Sequence, residues 1–230
     1  MKVVFATGIF PPDIGGPATS VSMLADAWAA CGHQVAVVTY SDVGDDGVAR
    51  PYDVRRVPRA QAAWRRYWSF LSALWRATAA PGPIFAQDGI ASGLPALVVA
   101  KLRGRRLVVR VAGDFAWERA QVAYGYADSI EEFQKDMSVP PSIFLLRVLQ
   151  RLVYRRADRV IAPSAYLAGV AKGWGVPEGR VRVIYNGVRL PKTAEPVEKR
   201  PHRVVAAGRL VPGKNFDVLI KAMPRVLAKF

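Results

Sequence analysis

Seven short apolar runs, set apart by loops and by stretches with helical periodicity, constrain this chain more than any other feature. Val3–Ala6, Val35–Thr39, Val54–Val57, Ile84–Ala86, Leu107–Val111, Arg159–Ala162 and Val181–Ile184 read as strands. Thr19–Ala30, Gln61–Ala79, Pro95–Leu102, Ser142–Arg156 and Ala165–Gly173 read as helices. A parallel strand pair needs a crossover about as long as a helix, so this alternation predicts an α/β fold, a parallel sheet with helices on both faces. Ligands of such sheets bind beyond the carboxyl ends of the strands, and the loops there are the first place to look for function.

Composition shifts after Asn186–Gly187. Leu190–Pro201 carries three prolines, mixed charge and little apolar content, as an exposed linker does. Beyond it an apolar run, Val204–Ala207, stops at Gly208 and is followed by a helical pattern of Val218, Leu219, Ala222 and Val226. The expected organisation is therefore a first domain over residues 1–188, a linker over 189–202, and the opening βα unit of an incomplete second domain over 203–230. A helix left alone there would expose Val218, Leu219, Val226 and Leu227 and invite dimerisation.

With 51% hydrophobic and 22% charged residues the chain can bury a sizeable core. Its net charge of +15 comes from 24 Arg and 9 Lys against 18 acids. That balance suits anionic partners, although a coding bias toward arginine would produce it without function. Cys31 is the single cysteine; it excludes an internal disulfide framework, fits a reducing compartment, and reads as a small buried filler. Lys2–Ala6 is too short for a secretory signal, and uncharged Gly89–Ala100 is well short of a membrane span. A cytoplasmic protein is expected.

Four segments carry candidate chemistry. The loop Gly8–Ser20 lacks the G-x-G-x-x-G fingerprint, but Gly15 and Gly16 at a helix entrance would let a phosphate or sugar hydroxyl approach the backbone. A plain glycine turn is the other reading. Gly208–Asn215 nearly matches the Walker pattern, yet Asn215 stands where Ser or Thr would hold magnesium, which makes an NTPase a poor reading. Arg209 and Lys214 on that loop make sense as a diphosphate clamp without metal, or as two solvated cations. Asp114 and Glu118, after the fifth strand, would share one helical face and could bind acceptor hydroxyls or serve as acid and base; Asp114 also suits a helix cap.

The fourth segment, Arg50–Arg76, interleaves seven Arg with Trp64, Tyr67, Trp68, Phe70 and Trp75. It suits contact with an anionic membrane face, or a helix that packs its aromatics on the sheet. Nothing resembles a nucleic-acid recognition motif. His33 and His202 join no catalytic or metal constellation, and Asp42, Asp45 and Asp46 lack calcium-loop spacing and read as solvated loop acids.

Three segments together, FPPDIGGPATSVSMLADAWAACGHQVAVVT, ADRVIAPSAYLAGVAKGWGVPEGRVRVIYNGV and VVAAGRLVPGKNFDVLIKAM, resemble the GT-B glycosyltransferases of the family-4 (group 1) type. The resemblance implies two Rossmann-like domains facing a cleft, the first on the acceptor side and the second holding a nucleotide diphosphate sugar as donor substrate. It implies transfer with retention, no metal and no cofactor, to a saccharide or lipid-linked acceptor. Arg209 and Lys214, next to Gly208, would hold the donor diphosphate, with Gly15 and Gly16 opposite. Two departures stand out: the family's V-H-G histidine is replaced in Val111-Ala112-Gly113, and its E-x7-E carboxylate pair would fall beyond Phe230. The chain alone is thus expected to transfer little or nothing. A split transferase completed by a partner chain, or a non-catalytic sugar- or nucleotide-binding module, are the alternatives.

Overall fold

All seven predicted strands of the first region form in the computed structural model, which describes residues 1–188, 203–208, 210 and 215–229. They are β1 (Lys2–Thr7), β2 (Gln34–Tyr40), β3 (Asp53–Val57), β4 (Ile84–Ala86), β5 (Leu107–Arg110), β6 (Arg159–Ala162) and β7 (Val181–Val183). They pair in the order β3-β2-β1-β4-β5-β6-β7, every pair parallel. β1 lies mid-sheet, with Val3 opposite Val35 on one side and Val4 opposite Ile84 on the other. Strands enclosed on two faces need apolar side chains at successive positions, which is why β1 and β2 read as continuous hydrophobic runs.

Helices α1 (Gly16–Ala30), α2 (Ala63–Ala77) and α3 (Gly93–Arg103) occupy predicted stretches; α4 (Phe115–Tyr124) starts where Asp114 offered a cap, though no helical stretch was assigned there; α5 (Ile130–Lys135) was not anticipated; α6 (Pro141–Arg156) and α7 (Ala165–Gly173) again were. The two faces of the sheet are unequally covered. Phe70 and Leu74 of α2, Val99 of α3, Tyr154 of α6 and Ala171 of α7 join Val4, Val38, Val109 and Val160 in one large core. On the other face α1 packs Val21 and Ala25 against Phe5, Val35 and Val37. Each Val, Leu or Phe side chain among these contributes about 1.5–3 kcal/mol when fully buried. A third cluster, with Ala116, Ala120, Phe133 and Ile143, ties α4 and α5 to α6. Buried Arg147 crosses it and donates from Nη1 to the carbonyls of Phe133 (2.7 Å) and Asp136 (2.6 Å).

Several expectations need correction. Cys31 is exposed, because it occupies the C-cap of α1 on the turn that passes through left-handed Gly32 (φ 77°) into β2. Asp46 is not a solvated loop acid. It accepts two hydrogen bonds from Arg50 (2.7 Å each) and pairs with Arg56 (2.8 Å), which holds its carboxyl well below the usual range, the hydrogen bonds of Arg50 first.

The chain divides into two units, Met1–Gly187 and Val188–Phe230. In the second, Val204–Ala207 forms no strand and lies exposed, since an isolated run has no neighbouring strand to take its backbone hydrogen bonds. Helix α8 (Phe216–Leu227) does form, with Val218, Leu219, Val226 and Leu227 exposed as expected. Gly208 is exposed. The linker 189–202 with its His202, and the clamp residues Arg209 and Lys214, lie outside the described residues.

Candidate functional site

The loops at the carboxyl ends of β1, β4 and β5 converge. After β1, the Gly8–Gly15 loop is held from the β3–α2 side. Arg59 pairs with Asp13 (Nη1 to Oδ1, 3.2 Å) and donates to the Tyr40 carbonyl (2.9 Å), while Arg56 donates to the Pro11 carbonyl (2.8 Å). The Arg59 hydrogen bonds and charge keep Asp13 below the usual carboxylate range. Arg50, Arg56 and Arg59 of the basic tract are therefore engaged in holding loops rather than facing outward. Gly15 caps α1 in an extended conformation (φ 168°), and a Cβ there would lie 2.8 Å from Ile9 Cδ1. A Cβ at Gly16, by contrast, would meet no atom within 4 Å. The first turn of α1 carries no acid, so its backbone N–H groups and positive dipole end remain open to an anion.

After β4, Asp88 folds its loop on itself. Oδ1 accepts from the N–H of Ile90 (2.9 Å) and of Ser92 (3.0 Å), and Oδ2 accepts from Ser92 Oγ (2.7 Å). Its Oδ2 also faces Gly8 of the first loop, 3.7 Å from where a Cβ would stand.

After β5, Asp114 is 1% exposed and caps α4, accepting from Trp117 N (3.1 Å). It also accepts from Gln150 Nε2 (3.0 Å) and Trp174 Nε1 (3.2 Å), joining α4 to α6 and α7. Of the two roles the sequence leaves open for Asp114, the cap is the one observed. Glu118, one turn on, lies over the Gly113 backbone so closely that a Cβ at 113 would collide with Oε1. Glu118 as a residue is exposed, but its carboxyl is tucked against the Gly113 backbone, and partial desolvation there, then the charge of Asp114, pushes the carboxyl up. A raised carboxyl penalises the ionised folded state, so this group's contribution to stability falls as pH rises from the ordinary glutamate value through the raised one. Glu118→Gln should accordingly be slightly more stable than the parent at neutral pH, the gain being small because Glu118 is exposed and screened by water, and the gap should close in acid, where Glu118 is protonated in both states. Melting curves of the two proteins between acid and neutral pH measure this; a gap that widens in acid would contradict it.

Side chains alternate across β5, so Val109 enters the large core while Val108 and Arg110 point to the α1 side. Arg110 is only 9% exposed. Its Nη1 donates to Ser20 Oγ (2.7 Å) and its Nη2 to Asn186 Oδ1, and burial lowers its pKa. Ser20 also accepts from Gln87 Nε2 (3.3 Å). Neither Asp88 nor the Arg110 group was singled out from sequence. The available signals were Asp88 and Ser92 four apart, each followed directly by a glycine, and an arginine closing an otherwise apolar strand.

The family model of the glycosyl transferase 4-like domain matches residues 15–187. The chain belongs to that family. No curated protein matches it at a significant level. Among solved structures, Anabaena HepE in complex with UDP is similar with 16% identity and a TM-score of 0.57, over 82% of this chain and 44% of that one. The lipopolysaccharide outer core galactosyltransferase WaaB is similar at 14% identity and 0.53, over 87% and 50%. The UDP-GlcNAc 2-epimerase of Methanocaldococcus jannaschii is similar at 14% and 0.53, over 80% and 45%. These likenesses show a shared fold, the GT-B arrangement of its first domain. The glycosyl transferase 4-like chain spans about half the length of the structures it matches.

Proposed function

We propose that this chain acts in glycosyl transfer from a nucleoside diphosphate sugar to a saccharide or lipid-linked acceptor, without metal and with retention. The observation that carries the reading is the open first turn of α1 at Gly15–Gly16, beside the Asp88 loop, in a chain matching the transferase family over residues 15–187. An anionic diphosphate is suited to such a helix N-terminus. Arg209 and Lys214, which lie outside the described residues, are the cations proposed for the diphosphate, offsetting the charge that develops as the sugar–phosphate bond breaks. Glu118, pushed up in pKa and without a hydrogen-bond partner for its carboxylate among the described residues, accepts the hydrogen bond of the acceptor hydroxyl. Solved HepE with UDP supports a uridine nucleotide as the donor carrier.

Titration of the full chain with UDP, and of a Gly16→Val variant, tests this. The variant should melt close to the parent, since a Cβ at 16 meets nothing within 4 Å. It should bind UDP about tenfold or more weakly, the loss expected when a charge-assisted contact is blocked. Transfer should survive EDTA. Equal UDP affinity in parent and variant would sink the reading. Exposed Ala112, at the place of the family histidine, favours a second reading, a nucleotide-sugar binder without chemistry; UDP binding with no transfer in any length of the protein would select it.

The same proposal extends to peripheral membrane contact. Trp64 and Trp68 on α2 are 67% and 62% exposed, beside Arg65 and Arg76. Cosedimentation with phosphatidylglycerol vesicles, but not neutral ones, is expected, and Trp64→Ala/Trp68→Ala should reduce it about tenfold or more. Among the described residues no helix is long and apolar enough to cross a membrane. The exposed apolar residues of α8 offer a dimer contact, readable by light scattering.

A further inference from the structure

A cavity of about 520 Å³ runs between one flank of α1 and the sheet, within the size range of small-molecule sites. Met23, Leu24 and Trp28 of α1 form one wall, and Phe85, Val108 and Ile161, from three adjacent strands, form the other. Its length follows the strands. Val3 and Pro83 lie toward their amino ends, Arg110 and Asn186 toward their carboxyl ends. At that second end Ser20, Arg110 and Asn186 meet, and among the described residues Arg110 is the one charged residue of the lining.

Arg110 decides what such a cavity suits. A buried guanidinium is costly unless an opposite charge or full hydrogen bonding offsets it. Arg56 has Asp46, and Arg147 has two backbone carbonyls. Arg110 has two neutral side-chain oxygens and, among the described residues, no carboxylate. An apolar trough that ends in an uncompensated, planar, five-donor cation matches a ligand with a hydrocarbon tail and one anionic oxygen head.

We propose that this cavity binds a single-chain anionic amphiphile, its hydrocarbon chain lying along β4 and β5 and its carboxylate or phosphate head on Arg110. The site uses neither Gly16 nor the Arg209–Lys214 loop, so it stands apart from the donor reading above. An anionic head seated on Arg110 would replace the neutral oxygen of Asn186 as partner, and the chain would cover Phe85, Val108 and Ile161.

Titration of the full chain, in a Trp64→Ala/Trp68→Ala background so that α2 does not contribute, provides the test. Dodecyl phosphate and dodecanoate, both below micelle-forming concentration, distinguish the two heads; dodecyl maltoside is the neutral control. Saturable one-to-one binding with a change in Trp28 fluorescence is expected. Octyl phosphate should bind about 200-fold more weakly than dodecyl phosphate, from about fourfold per methylene. Arg110→Gln, which removes the charge and keeps an amide donor on the side chain, should lower the affinity for the better anionic ligand about tenfold or more. Val108→Trp should block binding by filling the trough with Arg110 intact. Equal affinity for the maltoside, indifference to Arg110→Gln, or no saturable binding would each overturn the proposal, the last pointing to a polypeptide segment as the natural cover of this face.

Discussion

Asp114→Ala is expected to lower the melting temperature by about 8–15 °C, the largest loss of stability from one substitution at the site. The carboxylate caps α4, and losing an N-cap costs about 1 kcal/mol. It also satisfies Gln150 Nε2 and Trp174 Nε1, both inside the protein, and each buried donor left unpaired costs about 1–3 kcal/mol. Allowing for non-additivity, about 4 kcal/mol results, and each kcal/mol shifts the melting point of a chain of this size by about 2–4 °C. Asp114→Asn separates scaffold from chemistry. Its amide oxygen can still accept from Trp117 N and Gln150, but its NH2 faces the Trp174 N–H, donor against donor. A smaller destabilisation with nucleotide binding retained is the expected result. An Asn variant that melts like the parent yet loses all function would show that Asp114 acts on a ligand after all.

The architecture was legible because a buried parallel sheet writes itself as separate apolar runs, and Ile84–Ala86 and Arg159–Ala162 match β4 and β6 residue for residue. Helix α5 escaped, and α4 was read only through its cap Asp114, because both owe their stability to packing on α6, through Ala116, Phe133 and Ile143, more than to a clear apolar stripe. A local sign did exist for α5, the Ser129–Glu132 capping box. The arginine excess was misleading in part. Composition could not distinguish Arg56 and Arg59, which hold the β1–α1 loop, from Arg65 and Arg76, which flank exposed tryptophans. Such roles depend on partners far away in sequence: Asp13 lies 46 residues from Arg59, and Ser20 lies 90 from Arg110. The same distance hid the polar end of the α1 cavity, since no local pattern joins Ser20, Arg110 and Asn186.

In a transfer-competent protein that joins this chain to, or supplies it with, a donor-side domain, Arg209→Ala and Lys214→Ala are each expected to reduce glycosyl transfer by about 10²–10³, the usual loss when one preorganised donor to developing charge is removed. On the proposed reading the departing group is a nucleoside diphosphate, whose charge, with no metal, would fall to protein cations. The two cations are not equivalent. Arg209 offers a planar fork able to grip two phosphate oxygens, whereas Lys214 is a flexible point charge. Arg209→Lys should therefore recover little of the loss, while Lys214→Arg, keeping a charge within reach, should recover more. Steady-state transfer and UDP titration on the same proteins distinguish the steps. A loss confined to affinity would mean that the cations bind the ground state and transition state alike. A loss in kcat with UDP affinity nearly unchanged would mean that they act on the breaking bond. Variants within threefold of the parent in both measurements would remove the clamp from the mechanism, and leave the α1 N-terminus as the chief anion site of the chain.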